Sequence, residues 1–263
     1  NLTRTITDNN YPHPVFVITG DIFHNKSKAH ALTLDLFKYL IKNLTSFGEV
    51  ILIEGNHDIR FDQPTDPSLV DPFTGYHNVH LLKTGTVVIG RIGFTSVNVL
   101  DTIKKDGTYD IVPSDQLPSF PKNFNRDIDK MIALFHGSFR GVNMTRDVRV
   151  PDEPRYYPLD WIVGFDYVML GDIHLQQKFV YKETPVAYAG SLIQQNYGEQ
   201  IIKHGYGCLD LSDMKYTFVK IYNPNGFLNL SNIDGVWSVG MNGNKDYKPL
   251  EDIITQTLFP KEP

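Results

Sequence analysis

The stretch ILIEGNHD (residues 51–58) decides the fold. Its first half is a run of branched aliphatic residues, which is typical of a strand buried inside a sheet. Its second half carries an amide, an imidazole and a carboxylate. A core strand that leads at once into such side chains predicts an active-site loop at the carboxyl end of that strand.

The same pattern occurs at three other apolar runs. VFVIT (15–19), MIALF (131–135) and YVML (167–170) are each followed by polar residues that can bind metals. The side chains after the four runs are Asp21, His24, Asn56, His57, Asp58, His136, Asp172 and His174. Because the carboxyl ends of strands in an open α/β sheet line one crevice, we expect these residues to converge there.

Each cluster alone has a simpler interpretation. A Gly-Asp pair after a strand is commonly a turn, Asn-His-Asp is commonly a turn or a helix cap, and a single histidine such as His136 is commonly a core or loop residue. Four such clusters at four strand ends are difficult to explain as turns. The joint pattern therefore favours a functional site.

The segment between the first two predicted strands has the pattern of an amphipathic helix. Ser27 is positioned to cap it. The apolar side chains predicted to share its buried face are Leu32, Leu36, Phe37, Leu40, Ile41 and Leu44. A strand, helix and strand in this order predict two parallel strands joined by a right-handed crossover.

The pattern changes in two later places. Residues 80–99 read as successive strands of an antiparallel meander, with breaks at Thr84-Gly85 and Gly90. After residue 205, short strands alternate with Gly- and Asn-rich turns. We therefore predict one α/β domain over residues 1–205 and the beginning of a small β-rich domain over residues 206–263.

Composition narrows the class of protein. The chain has 263 residues and a net charge of -5. It therefore lacks the excess of basic residues that would indicate a nucleic-acid-binding protein. Cys208 is the only cysteine, which excludes an internal disulfide and favours a reducing, cytoplasmic compartment. No apolar run approaches the ~18 residues of a membrane span, so no membrane association is predicted. The start NLTRTITDNN has no initiating methionine, and we expect the chain to begin partway through a protein.

The ligand types indicate the metal. Imidazole, carboxylate and amide oxygen without thiolate suit Mn²⁺, Fe or Zn²⁺. A carboxylate such as Asp21 can bridge two ions, and an asparagine oxygen is a neutral ligand. This set predicts a hydrolytic site with two divalent ions roughly 3.5–4 Å apart.

At these residues the sequence resembles the calcineurin-like metallophosphoesterase superfamily, whose pattern is D-x-H, GD, GNH[DE], H and GHxH. GDIFHNKSK (20–28), GDIHLQQ (171–177) and YAGSLIQQNYGE (188–199) resemble the SbcD-type double-strand-break repair nucleases. The resemblance covers about residues 15–210. It implies a four-layer αββα sandwich, a nuclease domain over residues 1–205 and the start of a capping, DNA-binding domain over residues 206–263.

The resemblance also implies roles for single residues. Asp21 would bridge both metals, while Asn56, His136 and Asp172 would hold the second metal and His174 the first. His57 would be the general acid at the leaving group, with Asp58 orienting its ring. His24 would position the substrate.

The chain departs from the family pattern at two motifs. The D-x-H strand is missing, because Asp8 and His13 in TDNNYPH have the wrong spacing and no apolar strand before them. We therefore expect one ion to be bound well and hydrolysis to be poor. Asp172 replaces the first histidine of GHxH, which adds a negative charge and favours Mn²⁺ over Zn²⁺.

The function implied is a Mn²⁺-dependent DNA exonuclease or endonuclease in DNA end processing. Its expected partners are DNA, an SbcC-type ABC ATPase and a second copy of the chain, near a bacterial nucleoid or a viral replication site. Arg140, Arg146 and Arg149 lie on a loop that could follow the phosphate backbone, although Asp147 among them equally suits a solvated surface. The alternatives are another phosphoesterase of the superfamily or a non-catalytic DNA-binding member.

Overall fold

A three-stranded parallel sheet places two of the four predicted loops. The computed structural model describes residues 13–25, 28–106, 110–121, 127–145, 147–196, 199 and 204–223, and the backbone of 229–233, 236–240 and 248–249. The first sheet contains β1 (Val15–Thr19), β2 (Glu49–Ile53) and β3 (Val79–Leu81), in that order. All its pairs are parallel, as the predicted crossover between β1 and β2 requires.

A six-stranded mixed sheet places the other two loops. Its strands are β4 (Gly85–Ile89), β5 (Ile92–Ser96), β6 (Lys130–His136), β7 (Tyr167–Gly171), β8 (Gln177–Tyr181) and β9 (Thr184–Tyr188). Their order is β4-β5-β6-β7-β9-β8, parallel in the centre and antiparallel at the two edges. Strands β1 and β2 contact β6, and β1 also contacts β7, so the sheets meet where the predicted ligand loops begin.

The predicted α/β class is confirmed. Two sheets with parallel centres contact each other, and the described α-helix, α1 (Ala31–Leu44), packs on the first sheet. The predicted meander over residues 80–99 is only partly present. Strands β4 and β5 form an antiparallel hairpin, whereas β3 joins the other sheet and pairs in parallel with β2.

The buried face of α1 differs from the predicted face. Phe37, Ile41 and Leu44 are buried and pack with Val50 and Leu52 of β2. The predicted members Leu32, Leu36 and Leu40 are exposed, with Leu32 70% and Leu36 60% accessible. A helix presents only one stripe to a sheet, and the stripe that includes Phe37 and Ile41 takes that position. The N-cap is His30, while Ser27 lies outside the described residues.

Strand β1 is less buried than its composition predicts. All five of its residues are half-buried, in contrast to β2, whose last four residues are buried. Among the described strands, β1 lies at one edge of its sheet and β2 at the centre. An apolar run alone does not distinguish these two positions.

The chain divides into two compact units after Tyr188. In the second unit, β10 (Gly205–Asp210) and β11 (Lys215–Lys220) form an antiparallel hairpin. Strands β12 (Asn229–Ile233), β13 (Val236–Gly240) and β14 (Lys248–Pro249) form a further antiparallel sheet. The predicted boundary at residue 205 and the capping role of the tail stay predictions. Nowhere in the described residues is there a helix long and apolar enough to cross a membrane.

Candidate metal centre

Three predicted ligands from three strand ends come together. Asp21 follows β1, His136 ends β6 and Asp172 follows β7. Each offers one ligand atom, and these atoms all lie within 4.8 Å of one another. His136 Nε2 is 3.3 Å from Asp21 Oδ1 and 3.7 Å from Asp172 Oδ1. Adjacent pairing of β6 and β7, with His136 opposite Gly171, brings His136 and Asp172 together. Asp21 joins them because β1 of the other sheet contacts β6 and β7.

The imidazole of His136 has one nitrogen available to a metal. Its Nδ1 lies 2.7 Å from the carbonyl oxygen of Thr19, which can only accept a hydrogen bond. Nδ1 therefore carries the hydrogen and donates it, so Nε2 faces Asp21 and Asp172. A backbone carbonyl that selects the tautomer and holds the ring is the usual support of a metal-binding histidine.

Asn56 joins the cluster from the loop after β2. Its side-chain Oδ1 lies 3.2 Å from His136 Nε2. With the amide turned over, its nitrogen would donate to His136 and to both oxygens of Asp21 at 3.0–3.3 Å. The first orientation suits a proton on His136 Nε2 or a cation between the oxygens of Asn56 and Asp21, while the second suits an unprotonated Nε2 with no cation present. This donor set therefore fits a divalent ion of the Mn²⁺, Fe or Zn²⁺ type.

The backbone at both carboxylate ligands has a conformation that L-residues seldom adopt. Asp21 has a φ of 54° and Asp172 a φ of 87°. Left-handed backbone costs about 1–2 kcal/mol per non-glycine residue, and it persists where the surroundings impose it. Gly171 allows the close approach that is needed here, because a Cβ at this position would overlap the Thr19 carbonyl oxygen.

Electrostatics favour an ionised Asp21 and a positively charged partner. Burial opposes ionisation of Asp21, but the hydrogen bond and charge of His136 and the His57 N–H lower its pKa overall. Burial would lower the pKa of His136, but the hydrogen bond and charge of Asp21 and the charge of Asp172 raise it to about 9. A proton and a metal ion thus compete for the same nitrogen, Nε2.

Asp58 holds two ligand loops together, which differs from the predicted role of orienting His57. The Asp58 side chain is buried, and its Oδ1 accepts from the Phe23 N–H at 3.0 Å. Its Oδ2 accepts from the Gly55 N–H at 2.9 Å. One carboxylate therefore joins the loop of Asp21 to the loop of Asn56. Burial raises the pKa of Asp58 to about 6, against the opposing effect of the two N–H donors.

The variant Asp58→Asn tests whether Asp58 holds the two ligand loops together. Its amide nitrogen would face one of the two backbone N–H donors, so that a buried donor loses its acceptor, which costs about 1–3 kcal/mol. We expect Mn²⁺ affinity to fall about 10–100-fold, as for other residues that support metal ligands, in isothermal titration calorimetry. The exposed Asp66→Asn is the matched control. Equal Mn²⁺ affinity of Asp58→Asn and the unmodified chain would contradict this role of Asp58.

A second buried carboxylate anchors the same loop from behind. Glu54 directly precedes Gly55, and its side chain is only 2% exposed. It accepts a short hydrogen bond from Asn98 and lies 3.1 Å from Lys83 Nζ, which also lies 3.2 Å from Asp71. The loop of Asn56 and His57 is thus fixed on both sides, by Asp58 and by Glu54.

His57 and His24 lie beside the cluster. Their rings stack with centroids 5.6 Å apart and an interplanar angle of 20°. His57 Nδ1 lies 2.6 Å from the carbonyl oxygen of His24, so Nδ1 donates and Nε2 is left for another partner. The His57 backbone N–H donates to Asp21 Oδ1 at 2.9 Å. The ring predicted as the general acid therefore lies next to the predicted bridging carboxylate.

The remaining predicted site residues are not members of this ligand cluster, or they lie outside the described residues. His174 is exposed and is not a member of the ligand cluster of described residues. Arg140 donates to the Tyr156 carbonyl oxygen at 2.9 Å and lies 3.6 Å from Asp152, so it braces its own loop. Arg149 is exposed. Arg146 and residues 1–12, with Asp8, lie outside the described residues.

Sequence reasoning missed three residues that support the ligands. Ser138 donates a short hydrogen bond to Asp172 Oδ2. The buried Tyr188 hydroxyl donates to the Gly137 carbonyl oxygen at 2.9 Å. The third residue, Glu54, ends the apolar run ILIE (51–54). Its position offered a signal, because a carboxylate within an apolar strand needs a partner when it is buried.

Comparison with known proteins agrees with this geometry. The calcineurin-like phosphoesterase family matches residues 2–176. The chain belongs to this family. Calcineurin-like phosphoesterases are metal-dependent enzymes, and the cluster of Asp21, His136 and Asp172 is where this chain can bind a divalent ion. The predicted superfamily is confirmed.

The chain is also similar to a viral protein and to a solved structure. An uncharacterized protein of Acanthamoeba polyphaga mimivirus is 30% identical over 242 residues, which is 89% of this chain. The chain spans 17% of the length of that relative. A solved crystal structure covers 83% of this chain and 91% of its own, with 14% identity and a TM-score of 0.47.

Proposed function

We propose that this calcineurin-like phosphoesterase hydrolyses phosphodiester bonds in DNA. The observation that carries the proposal is a metal-ligand cluster beside two stacked histidines at an accessible surface. The side chains of Asp21 and Asp172 are 25% and 28% exposed, and His24 is exposed. A polymer can reach such a site, and the resemblance of GDIFHNKSK and YAGSLIQQNYGE to repair nucleases gives DNA as the substrate.

The residues of the chain divide the chemistry between them. A divalent ion bound here, with Mn²⁺ proposed, supplies Lewis acidity toward a phosphoryl oxygen and activates water. Asp21, Asn56, His136 and Asp172 would hold it. His57, protonated on both nitrogens, donates the Nε2 proton to the departing oxygen and becomes neutral, while its Nδ1–H stays bonded to the His24 carbonyl oxygen. His24 positions the phosphate backbone, and His174 is proposed to serve a second ion.

Substrate comparison tests the proposal. The chain is incubated with linear duplex DNA, with a phosphomonoester and with a cyclic nucleotide, each with Mn²⁺ and with chelator. Cleavage of DNA that needs Mn²⁺ supports the nuclease. Hydrolysis of the small substrates but not DNA would replace it with another phosphoesterase activity. DNA binding that neither chelator nor Asp21→Ala changes, without cleavage, would indicate a non-catalytic DNA-binding member.

We propose that the loop after β6 contacts DNA through the exposed Arg149. Charge reversal in Arg149→Glu should weaken binding to duplex DNA. It should also reduce the slope of the log binding constant against log salt concentration by about the amount expected for the loss of one phosphate contact. Fluorescence anisotropy at several salt concentrations measures both quantities. The control is Arg155→Glu, at an exposed arginine paired with Glu153. An unchanged salt slope in Arg149→Glu would remove this loop from the DNA interface.

We also propose that the chain forms a homodimer through α1. Leu32, Leu36, Tyr39 and Leu40 are exposed on this helix, and their spacing of three and four residues is that of a helix-packing seam. Leu36→Lys should convert the dimer into a monomer in light scattering coupled to size exclusion. Lys38→Glu on the same helix is the control. A monomeric unmodified chain, or a dimeric Leu36→Lys, would contradict this interface.

The ABC ATPase partner is proposed from the resemblance alone, and the cytoplasmic location is proposed from the single cysteine, Cys208. The resemblance to SbcD-type nucleases favours an SbcC-type subunit that acts on the same DNA ends. Co-purification of such a subunit from the native source, with ATP-dependent stimulation of cleavage, supports the partnership. Cleavage that is independent of any ATPase in that source would contradict it.

A further inference from the structure

We infer that Ser138 is a positioning residue for the metal centre, because its hydroxyl fixes Asp172 so that only one carboxylate oxygen faces the metal. The inference deepens the proposed function and rests on it. Ser138 lies two residues after β6 and Asp172 one residue after β7. Since His136 pairs with Gly171 across these strands, the two loops begin side by side.

The contact divides the two oxygens of Asp172 between two tasks. Ser138 Oγ–H donates to Asp172 Oδ2, and the other oxygen, Oδ1, lies 3.7 Å from His136 Nε2. Oδ1 is therefore the atom directed at the ligand cluster. A carboxylate with one oxygen engaged by a hydroxyl is held as a ligand through a single atom, with its rotation restricted.

Ser138 is itself held on both sides. The Tyr188 hydroxyl donates to the Gly137 carbonyl oxygen at 2.9 Å and accepts from the Phe139 N–H at 3.3 Å. The Tyr157 N–H donates to the Ser138 carbonyl oxygen at 3.1 Å. Tyr188 is fully buried, so this support belongs to the core. The hydroxyl is therefore pre-organised to meet Asp172.

This support matters because Asp172 replaces a histidine of the family pattern. An imidazole presents one lone pair in a fixed direction, whereas a carboxylate has two oxygens and can turn. Without Ser138, Asp172 could bind through both oxygens or move toward His136. Loss of the hydroxyl removes this restriction and should therefore weaken the binding of a divalent ion.

Mn²⁺ and Zn²⁺ titrations of the intact chain test the inference without any activity assay. Ser138→Ala should bind both Mn²⁺ and Zn²⁺ about 10–100-fold more weakly. Ser138→Thr keeps the hydroxyl and should restore most of the affinity. The exposed Ser114→Ala is the control. The metal-free melting temperature of Ser138→Ala should fall by only a few degrees, as expected for one hydrogen bond.

A double-mutant cycle separates positioning from general destabilisation. In an Asp172→Ala background, Ser138→Ala should cause no further loss of Mn²⁺ affinity, because the group that it positions is absent. Equal Mn²⁺ affinity of Ser138→Ala and the unmodified chain, or full additivity in the cycle, would overturn the inference. A chain that binds no Mn²⁺ would overturn the metal site and the inference together. Mn²⁺ binding that depends on Ser138, without DNA cleavage, would support the inference and refute only the nuclease.

Discussion

Asp21→Asn is expected to lower kcat/KM for DNA cleavage by at least about a thousandfold, or ~4 kcal/mol of transition-state stabilisation. The side chain lies 3.3 Å from His136 Nε2 and accepts the His57 N–H at 2.9 Å. Its replacement removes the negative charge and one of the two oxygens, and the neutral amide that remains is a much weaker ligand for a divalent ion. Steady-state cleavage of duplex DNA at saturating Mn²⁺ gives the ratio, and calorimetry gives the metal affinity.

The matched control is Asp115→Asn. Asp115 is exposed in a short 3-10 helix (Ser114–Gln116) and belongs to no ligand group among the described residues. It loses the same charge by the same atomic change, so its cleavage rate should stay within about twofold of the unmodified chain, as for a surface substitution. A fall of less than tenfold in Asp21→Asn would contradict the role of Asp21 as a metal ligand.

His57→Gln is expected to have the second largest effect, a loss of about 10²–10⁴-fold in kcat on DNA, as for removal of a general acid. The DNA leaving group is an alkoxide that needs a proton. A nitrophenolate leaving group does not, so hydrolysis of a nitrophenyl phosphodiester should fall much less. The comparison of these two substrates therefore separates proton donation from metal binding, which should be retained.

The control for this variant is His77→Gln, because His77 is exposed and lies outside the ligand loops. An equal loss on both substrates in His57→Gln would show that His57 acts before or apart from leaving-group departure, for example in phosphate binding. No loss on DNA would remove His57 from the catalytic machinery.

The strands and ligand loops were predictable because they depend on local composition. Branched aliphatic runs ended by Gly-Asp, Gly-Asn-His or His-Gly predicted β1, β2, β6 and β7, and β2 matches its prediction in burial as well. His136 and Asp172 follow neighbouring parallel strands of one sheet, and the rule of sheet topology was sufficient to predict that they meet. Asp21 follows a strand of the other sheet, and it joins them because β1 contacts β6 and β7.

The predictions that were wrong concern features that depend on tertiary contacts. Leu36 and Phe37 are adjacent and equally apolar, yet only Phe37 meets the sheet, because the helix orientation is set by its neighbours. Asp58 was expected to contact the adjacent histidine, but it bonds Phe23, 35 residues away. Ser138 contacts Asp172 across 34 residues. No periodicity in the sequence encodes such pairs.

Crystals of the chain grown with Mn²⁺, with diffraction data collected at the manganese absorption edge, would show whether these side chains bind a metal ion. We expect an anomalous peak bounded by Asp21, His136 Nε2, Asp172 Oδ1 and the Asn56 side-chain oxygen, with Asp172 Oδ2 still bonded to Ser138. No peak among these atoms at saturating Mn²⁺, or a peak elsewhere in the chain, would contradict this metal centre.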